Sequence, residues 1–230
     1  MVREALDRRI RHLLDEFLVL ESMVEQETID AVDALKRQDM DAARKAYNFD
    51  QKVNAKRFEI ENECMITIAT QQPIMAGDLR LLASILEVVG ELERMGDYAK
   101  GIAKICLMSG DQPHIKPLID IPKMAEICIS MLHRAAGAFI NRDVEAARAI
   151  PREDDQVDDL YNQVSRDLAN IVLAEPTKIE RANYLMWAAH NLERMADRVT
   201  NICERAIYVT TGELKEIDTT DDEFRSKFMS

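Results

Sequence analysis

The sequence predicts an all-α fold: two tandem antiparallel three-helix bundles related by internal duplication. Three observations carry that expectation. Glycine and proline are scarce, 7 and 6 of 230 residues, while Ala, Leu, Glu, Arg and Met recur, so few residues interrupt or resist helices. No stretch alternates apolar and polar residues with the β-branched enrichment of a strand. The chain also repeats itself.

Asp39-Met40-Asp41-Ala42-Ala43-Arg44 aligns with Asp143-Val144-Glu145-Ala146-Ala147-Arg148 at an offset of 104 residues. At that offset Asp50 meets Asp154, Val53 meets Val157, and Ala31 and Ala34 meet Ala135 and Ala138. Further on, Leu92-Glu93-Arg94-Met95-Gly96-Asp97 aligns with Leu192-Glu193-Arg194-Met195-Ala196-Asp197 at an offset of 100, and Ile102 with Ile202. The register drops where the second copy has a shorter helix-to-helix connection. The turns that absorb it are Gln71-Gln72-Pro73 and Glu175-Pro176-Thr177.

Each copy reads as three helices. The first runs from Arg3 to Lys36, with Leu6, Leu13, Leu14, Phe17, Leu20 and Val24 at three- and four-residue spacings. At about 50 Å it is long enough to project beyond its bundle and meet a second subunit, so a homodimer is expected. Asp39 caps a short helix leading towards Tyr47, followed by helices over 49–70 and 78–108 that end at Gly110. The segment from Ser109 to Pro122 holds three of the six prolines and no periodic pattern. The second copy continues with helices over 124–141, 154–173 and 177–211, Pro151 separating the short capped helix from the long one and Gly212 ending the last. The expected organisation is a first repeat at 1–110, a linker at 111–122, a second repeat at 123–212 and an acidic tail at 213–230. Short turns set successive helices antiparallel.

The formal net charge of −12 disfavours nucleic acid and anionic lipid and suits cations as ligands. No apolar run approaches a membrane span, and the charged N-terminus lacks the apolar core of a signal peptide, so neither membrane insertion nor export is expected. Cys64, Cys106, Cys128 and Cys203 form no C-x-x-C pair and fall among apolar neighbours, as small buried hydrophobes of a reducing compartment, the cytoplasm.

Glu93 and Asp97 are four residues apart on one helix, as are Glu193 and Asp197, so each pair projects from one face. The preceding helix offers Asp50 with Asn54 in copy one and Asp154 with Asp158 in copy two, with Asp155 and Asp159 alongside. Two antiparallel helices can converge these oxygens on one hard or borderline cation such as Fe, Mn, Mg or Ca; zinc normally takes more nitrogen or sulfur. Among 42 acidic residues such pairs also arise by accident on solvated faces. Against that reading, the pairs recur in a matched L-E-R-M-x-D frame and flank the apolar stripe Leu92, Met95, Ala99, Ile102. Arg94 and Arg194 are possible structural counter-ions. His190 shares a face with Glu193 and Asp197 but has Gly90 as its counterpart. The Met set (Met95, Met108, Met124, Met131, Met186, Met195) and Trp187 read as packing residues. No phosphate-binding loop, nucleophile elbow or E-x-x-H frame is present, and no enzymatic activity is expected.

These frames resemble the signature of PhoU proteins: Glu91 to Asp97, Leu192 to Asp197, Gln71-Gln72-Pro73 followed by Asp78-Leu79-Arg80, and Tyr208 with Gly212. The likeness spans nearly the whole chain. It implies a cytoplasmic dimer of two three-helix bundles that restrains phosphate uptake and the phosphate-starvation response. Its implied partners are the ATPase subunit of the phosphate ABC transporter and a sensor histidine kinase. It also implies metal clusters, iron foremost with Mn, Mg, Ca or Zn as alternatives, held by Asp50, Glu93 and Asp97 in the first bundle. In the second the ligands would be Asp154, Asp158, Glu193 and Asp197. Asn54 departs from the family's carboxylate, so the first site is expected to be the weaker. Asp78-Leu79-Arg80 has no counterpart in copy two and suggests a partner contact. A metal-storage or metal-redox protein, and a regulator of a different ion transporter, are the alternatives.

Overall fold

A computed structural model describes residues 2–217; residues 218–230 of the expected acidic tail lie outside that range. Seven α-helices span the described residues: α1 (Val2–Arg37), α2 (Met40–Thr70), α3 (Ala76–Ser109), α4 (Asp120–Asn141), α5 (Val144–Ala149), α6 (Asp154–Ala174) and α7 (Ile179–Thr211). No strand occurs among them, and no helix there is long and apolar enough to cross a membrane.

The two repeats differ where one residue differs. In the first, the short capped helix and the long one are a single α2, unbroken from Met40 to Thr70. In the second, a 3-10 turn at Ile150–Glu153 separates α5 from α6. The counterpart of Pro151 in that turn is Tyr47, which keeps the amide proton and lacks the ring that blocks a continuous helix. The caps stand where the repeat puts them. The Asp39 carboxylate accepts from the Asp41 and Ala42 amides, and the Asp143 carboxylate accepts from the Ala146 amide. Gly212 ends α7 at a φ of 78°, a left-handed conformation that suits glycine.

The apolar stripe of α1 is buried at Leu6, Leu13, Phe17, Leu20 and Val24. Instead of projecting from its bundle, α1 also packs on α4, with the Phe17 and Phe139 rings 5.4 Å apart. A second seam joins α3 to α7. Glu87 faces Arg205, Glu91 accepts from the Asn201 amide at 3.0 Å, and Arg194 lies over the Tyr98 ring at 5.8 Å. Each step forward on α3 matches an equal step back on α7, a register centred on the equivalent residues 96 and 196. The two bundles are therefore related by a pseudo-twofold axis, with α1, α3, α4 and α7 between them and α2 and α6 outside. All four cysteines are buried and unpaired, and burial pushes the Cys64 and Cys203 thiols up to about 12.

Candidate metal centres

Each repeat presents its acids between its second and third helices. In the second, α6 carries Asp154 and Asp158, and α7 carries Glu193 and Asp197. Asp154 is buried, and its Oδ1 accepts no hydrogen bond. Burial, then the charges of Asp158, Asp197, Glu193 and Asp155, push its carboxyl up to about 7. Glu193 is likewise pushed up, by burial and then by Asp197, with the His190 imidazole opposing. His190 Nδ1 stands 3.1 Å from Glu193 Oε2, so this histidine does attend the site. A cleft of about 340 Å³, lined in part by Asp154, Asp197, Thr200, Asn201 and Glu204, opens onto the acids.

The first repeat is arranged differently. Asp50 is buried, and its Oδ2 accepts from Lys100 Nζ at 2.8 Å and from Asn54 Nδ2 at 3.0 Å. Asn54 also donates to the Asp50 carbonyl at 3.1 Å, so its amide nitrogen, not its oxygen, is turned to the site. Arg57 Nη1 lies 3.1 Å from Glu93 Oε1. Asp97 is exposed, 3.7 Å from the same Lys100 ammonium. A further acid, Glu27 of α1, is buried with neither oxygen hydrogen-bonded. Burial, and then Asp50, push its carboxyl up to about 8, with Lys100 opposing. Gly96 makes room for it: a Cβ there would sit 3.3 Å from Glu27 Oε2.

Superposing the repeats by sequence explains the contrast. Lys100 corresponds to Thr200, Arg57 to Tyr161 and Glu27 to Met131. The first site thus contains two resident cations and a buried acid, Glu27, whose carboxyl is pushed up by burial. The second brings Asp158, Glu193 and Asp197 into the neighbourhood of Asp154, whose buried Oδ1 accepts no hydrogen bond, and oxygen donors of this kind suit a hard or borderline cation. In neither site do the atoms of three of these carboxylates come within 4.8 Å of one another. Among the described residues, the one trio of potential ligand atoms within 4.8 Å of one another is Glu21, Glu25 and His133, at the α1–α4 crossing.

The remaining sequence-predicted residues take ordinary structural roles. Arg94 pairs with Glu91 at 3.0 Å. Asp78 is buried against Arg3, and Arg80 lies over the Tyr208 ring at 5.9 Å, so both charges of that motif are engaged within the chain. Met95, Met124, Met131 and Met195 are core, but Met108 and Trp187 are exposed, the latter against Tyr184.

A family model described as the PhoU domain matches residues 18–106 and 121–206, one match per bundle. The chain belongs to the PhoU family. A PhoU homolog from Clostridium acetobutylicum, a phosphate-specific transport system accessory protein, is 33% identical over 96% of this chain and all of its own length. The Escherichia coli PhoU accessory protein is 34% identical over 85% of this chain and 81% of its own. The crystal structure of the phosphate transport system regulatory protein PhoU from Streptococcus pneumoniae superposes with a TM-score of 0.84 at 30% identity. It covers 91% of this chain and 99% of that one. PhoU from Pseudomonas aeruginosa gives 0.83 over the same shares.

Proposed function

We propose that this PhoU protein is a negative regulator of phosphate uptake and of phosphate-starvation signalling. In this reading it is a cytoplasmic homodimer that links the ATPase subunit of a phosphate ABC transporter to a sensor histidine kinase and catalyses no reaction. The observation that carries the reading is full-length likeness, through both repeats, to phosphate-specific transport accessory proteins.

Metal belongs to the proposal, iron first. Asp154, Asp158, Glu193 and Asp197 would hold it in the second repeat, with His190 orienting Glu193. Support comes from the buried, unsatisfied Asp154 Oδ1 and from Thr200 and Tyr161 standing where the first repeat has cations. A bound cation offsets the mutual repulsion of the four acids and offers an anion such as phosphate a bridging contact that carboxylates alone refuse. In the first repeat Asp50, Glu93 and Asp97, with Asn54 beside them, would bind metal only after displacing Lys100 and Arg57.

Two measurements test the reading. Deleting the gene should derepress phosphate-responsive genes at high phosphate; unchanged expression would overturn the regulatory role. Elemental analysis of untagged protein should show metal that disappears in Glu193→Ala/Asp197→Ala. Equal metal content in both proteins would remove the second-repeat site.

A further inference from the structure

The crossing of α1 and α4 joins the two repeats, and it carries three donors that phosphate regulation leaves unused. Glu21 and Glu25 lie one turn apart on α1, and His133 reaches them from α4. His133 Nδ1 is 3.5 Å from Glu21 Oε1 and 3.3 Å from Glu25 Oε1. All three atoms fall within 4.8 Å of one another, the spacing of ligands around one ion. Glu21 is 3% exposed, and both Oε1 atoms are shielded from solvent without accepting a hydrogen bond. A buried carboxylate oxygen in that state is costly unless a proton or a cation satisfies it, and here a cation would compete with the proton that burial and Glu25 favour on Glu21.

The setting is closed on one side and open on the other. One turn before Glu21 on α1, the buried Phe17 ring meets Phe139 of α4. On the open side, the His133 side chain is 75% exposed, at a groove of about 430 Å³ lined by Ile29, Glu126, Ile129, Ser130 and Arg134. An ion therefore has a route in. None of the three donors is repeated: at the offset of 104, Glu21 corresponds to Ala125, Glu25 to Ile129 and His133 to Ile29. The cluster exists only because the two repeats cross there.

We infer that Glu21, Glu25 and His133 form a third metal site, for one borderline divalent ion of the Zn²⁺ class, that clamps α1 of the first repeat to α4 of the second. Two carboxylate oxygens and one imidazole nitrogen supply three protein ligands and leave a position for water, facing the groove. Ca²⁺ and Mg²⁺ favour shells made of oxygen alone, so the imidazole selects against them. The site is independent of the acids on α6 and α7.

Titrating the full chain with Zn²⁺ tests this, by calorimetry and by NMR of the histidine rings. The parent chain and Glu193→Gln/Asp197→Asn should both bind Zn²⁺ with a shift of the His133 ring signals and a rise in Tm. His133→Ala, at an exposed position that leaves the fold intact, should lose one equivalent. Glu25→Gln should keep the fold and bind at least ~10-fold more weakly. If His133→Ala matches the parent in stoichiometry, affinity and Tm response, the proposal is overturned and the three side chains are an ion pair. Zn²⁺ binding lost only in Glu193→Gln/Asp197→Asn overturns it equally, while leaving the second-repeat site standing.

Discussion

Lys100 Nζ stands 2.8 Å from the buried Asp50 Oδ2, so an ammonium group fills in the first repeat the place that Thr200 occupies in the second. Duplication produced two equivalent acid pairs. The pairs now differ in their surroundings: Lys100 faces Asp50 and Arg57 faces Glu93 in the first, where the second has Thr200 and Tyr161. In the second, Asp154 keeps a buried Oδ1 that accepts no hydrogen bond.

Replacing the resident cation should convert one kind of site into the other. Lys100→Thr leaves Asp50 buried with Asn54 as its remaining donor, and should destabilise the metal-free protein by about 2 kcal/mol in urea unfolding. In exchange the first repeat should gain an equivalent of Mn²⁺ in calorimetric titration. Unchanged stability together with unchanged stoichiometry would show that Lys100 does not hold the site.

A second expectation concerns pH. Glu27 and Glu21 are pushed up to about 8, and Asp154 to about 7, each by burial first. Carboxyls of the unfolded chain titrate near ~4. The folded chain therefore binds more protons between these values. The stability from these groups is complete below ~4 and is lost as pH rises through 7 to 8. Glu16, Glu153 and Asp167, held down by Lys56, Arg134 and Lys116, act in the opposite sense and matter on the acid side. Calorimetric Tm should fall from pH 5 to pH 8.5. Glu27→Gln, neutral beside Asp50, Lys100, Asp97 and Asp30 at every pH, should show a shallower fall. An identical slope would mean that Glu27 is ionised in the fold.

Much of this architecture is legible in the sequence, because helix stripes and repeats are local patterns. The offset of 104 already pairs Asp50 with Asp154 and sets Arg57 against Tyr161, and the offset of 100 sets Lys100 against Thr200. Those mismatches, more than Asn54, account for the inequality of the sites, and reading every offset position instead of only the acidic ones would have exposed them. Glu27 is different. It lies on the first helix, outside the acid frames, and its counterpart Met131 gives no hint of a site. The Glu21–Glu25–His133 trio is invisible for another reason: which turns of α1 and α4 meet depends on how the bundles cross, and no local period encodes that.

The helix caps should behave as independent local units. Asp39→Ala removes a carboxylate that accepts from two backbone amides at the start of α2, and should cost about 1 kcal/mol. Asp143→Ala, which frees the Ala146 amide at the start of α5, should cost a similar amount. Because the caps share no partner, the double variant should lose the sum in urea unfolding. A double variant no less stable than either single one would show that the caps act together.

The sharpest contrast lies between equivalent residues whose neutralisation should have opposite signs. Asp50→Asn breaks the pair with Lys100 and leaves an ammonium beside a buried amide, so stability should fall by about 2 kcal/mol. Asp154→Asn removes a charge that burial and four neighbouring acids oppose, so at pH 8 the metal-free protein should become more stable by about 1 kcal/mol. At pH 5 that gain should vanish, because Asp154 is already protonated there. Adding Mn²⁺ at pH 8 should reverse the order: the parent chain gains stability by binding, and Asp154→Asn, lacking a ligand, does not. If Asp154→Asn instead destabilises the metal-free protein as much as Asp50→Asn does, the second cluster is a structural network like the first, and the difference between the repeats carries no function.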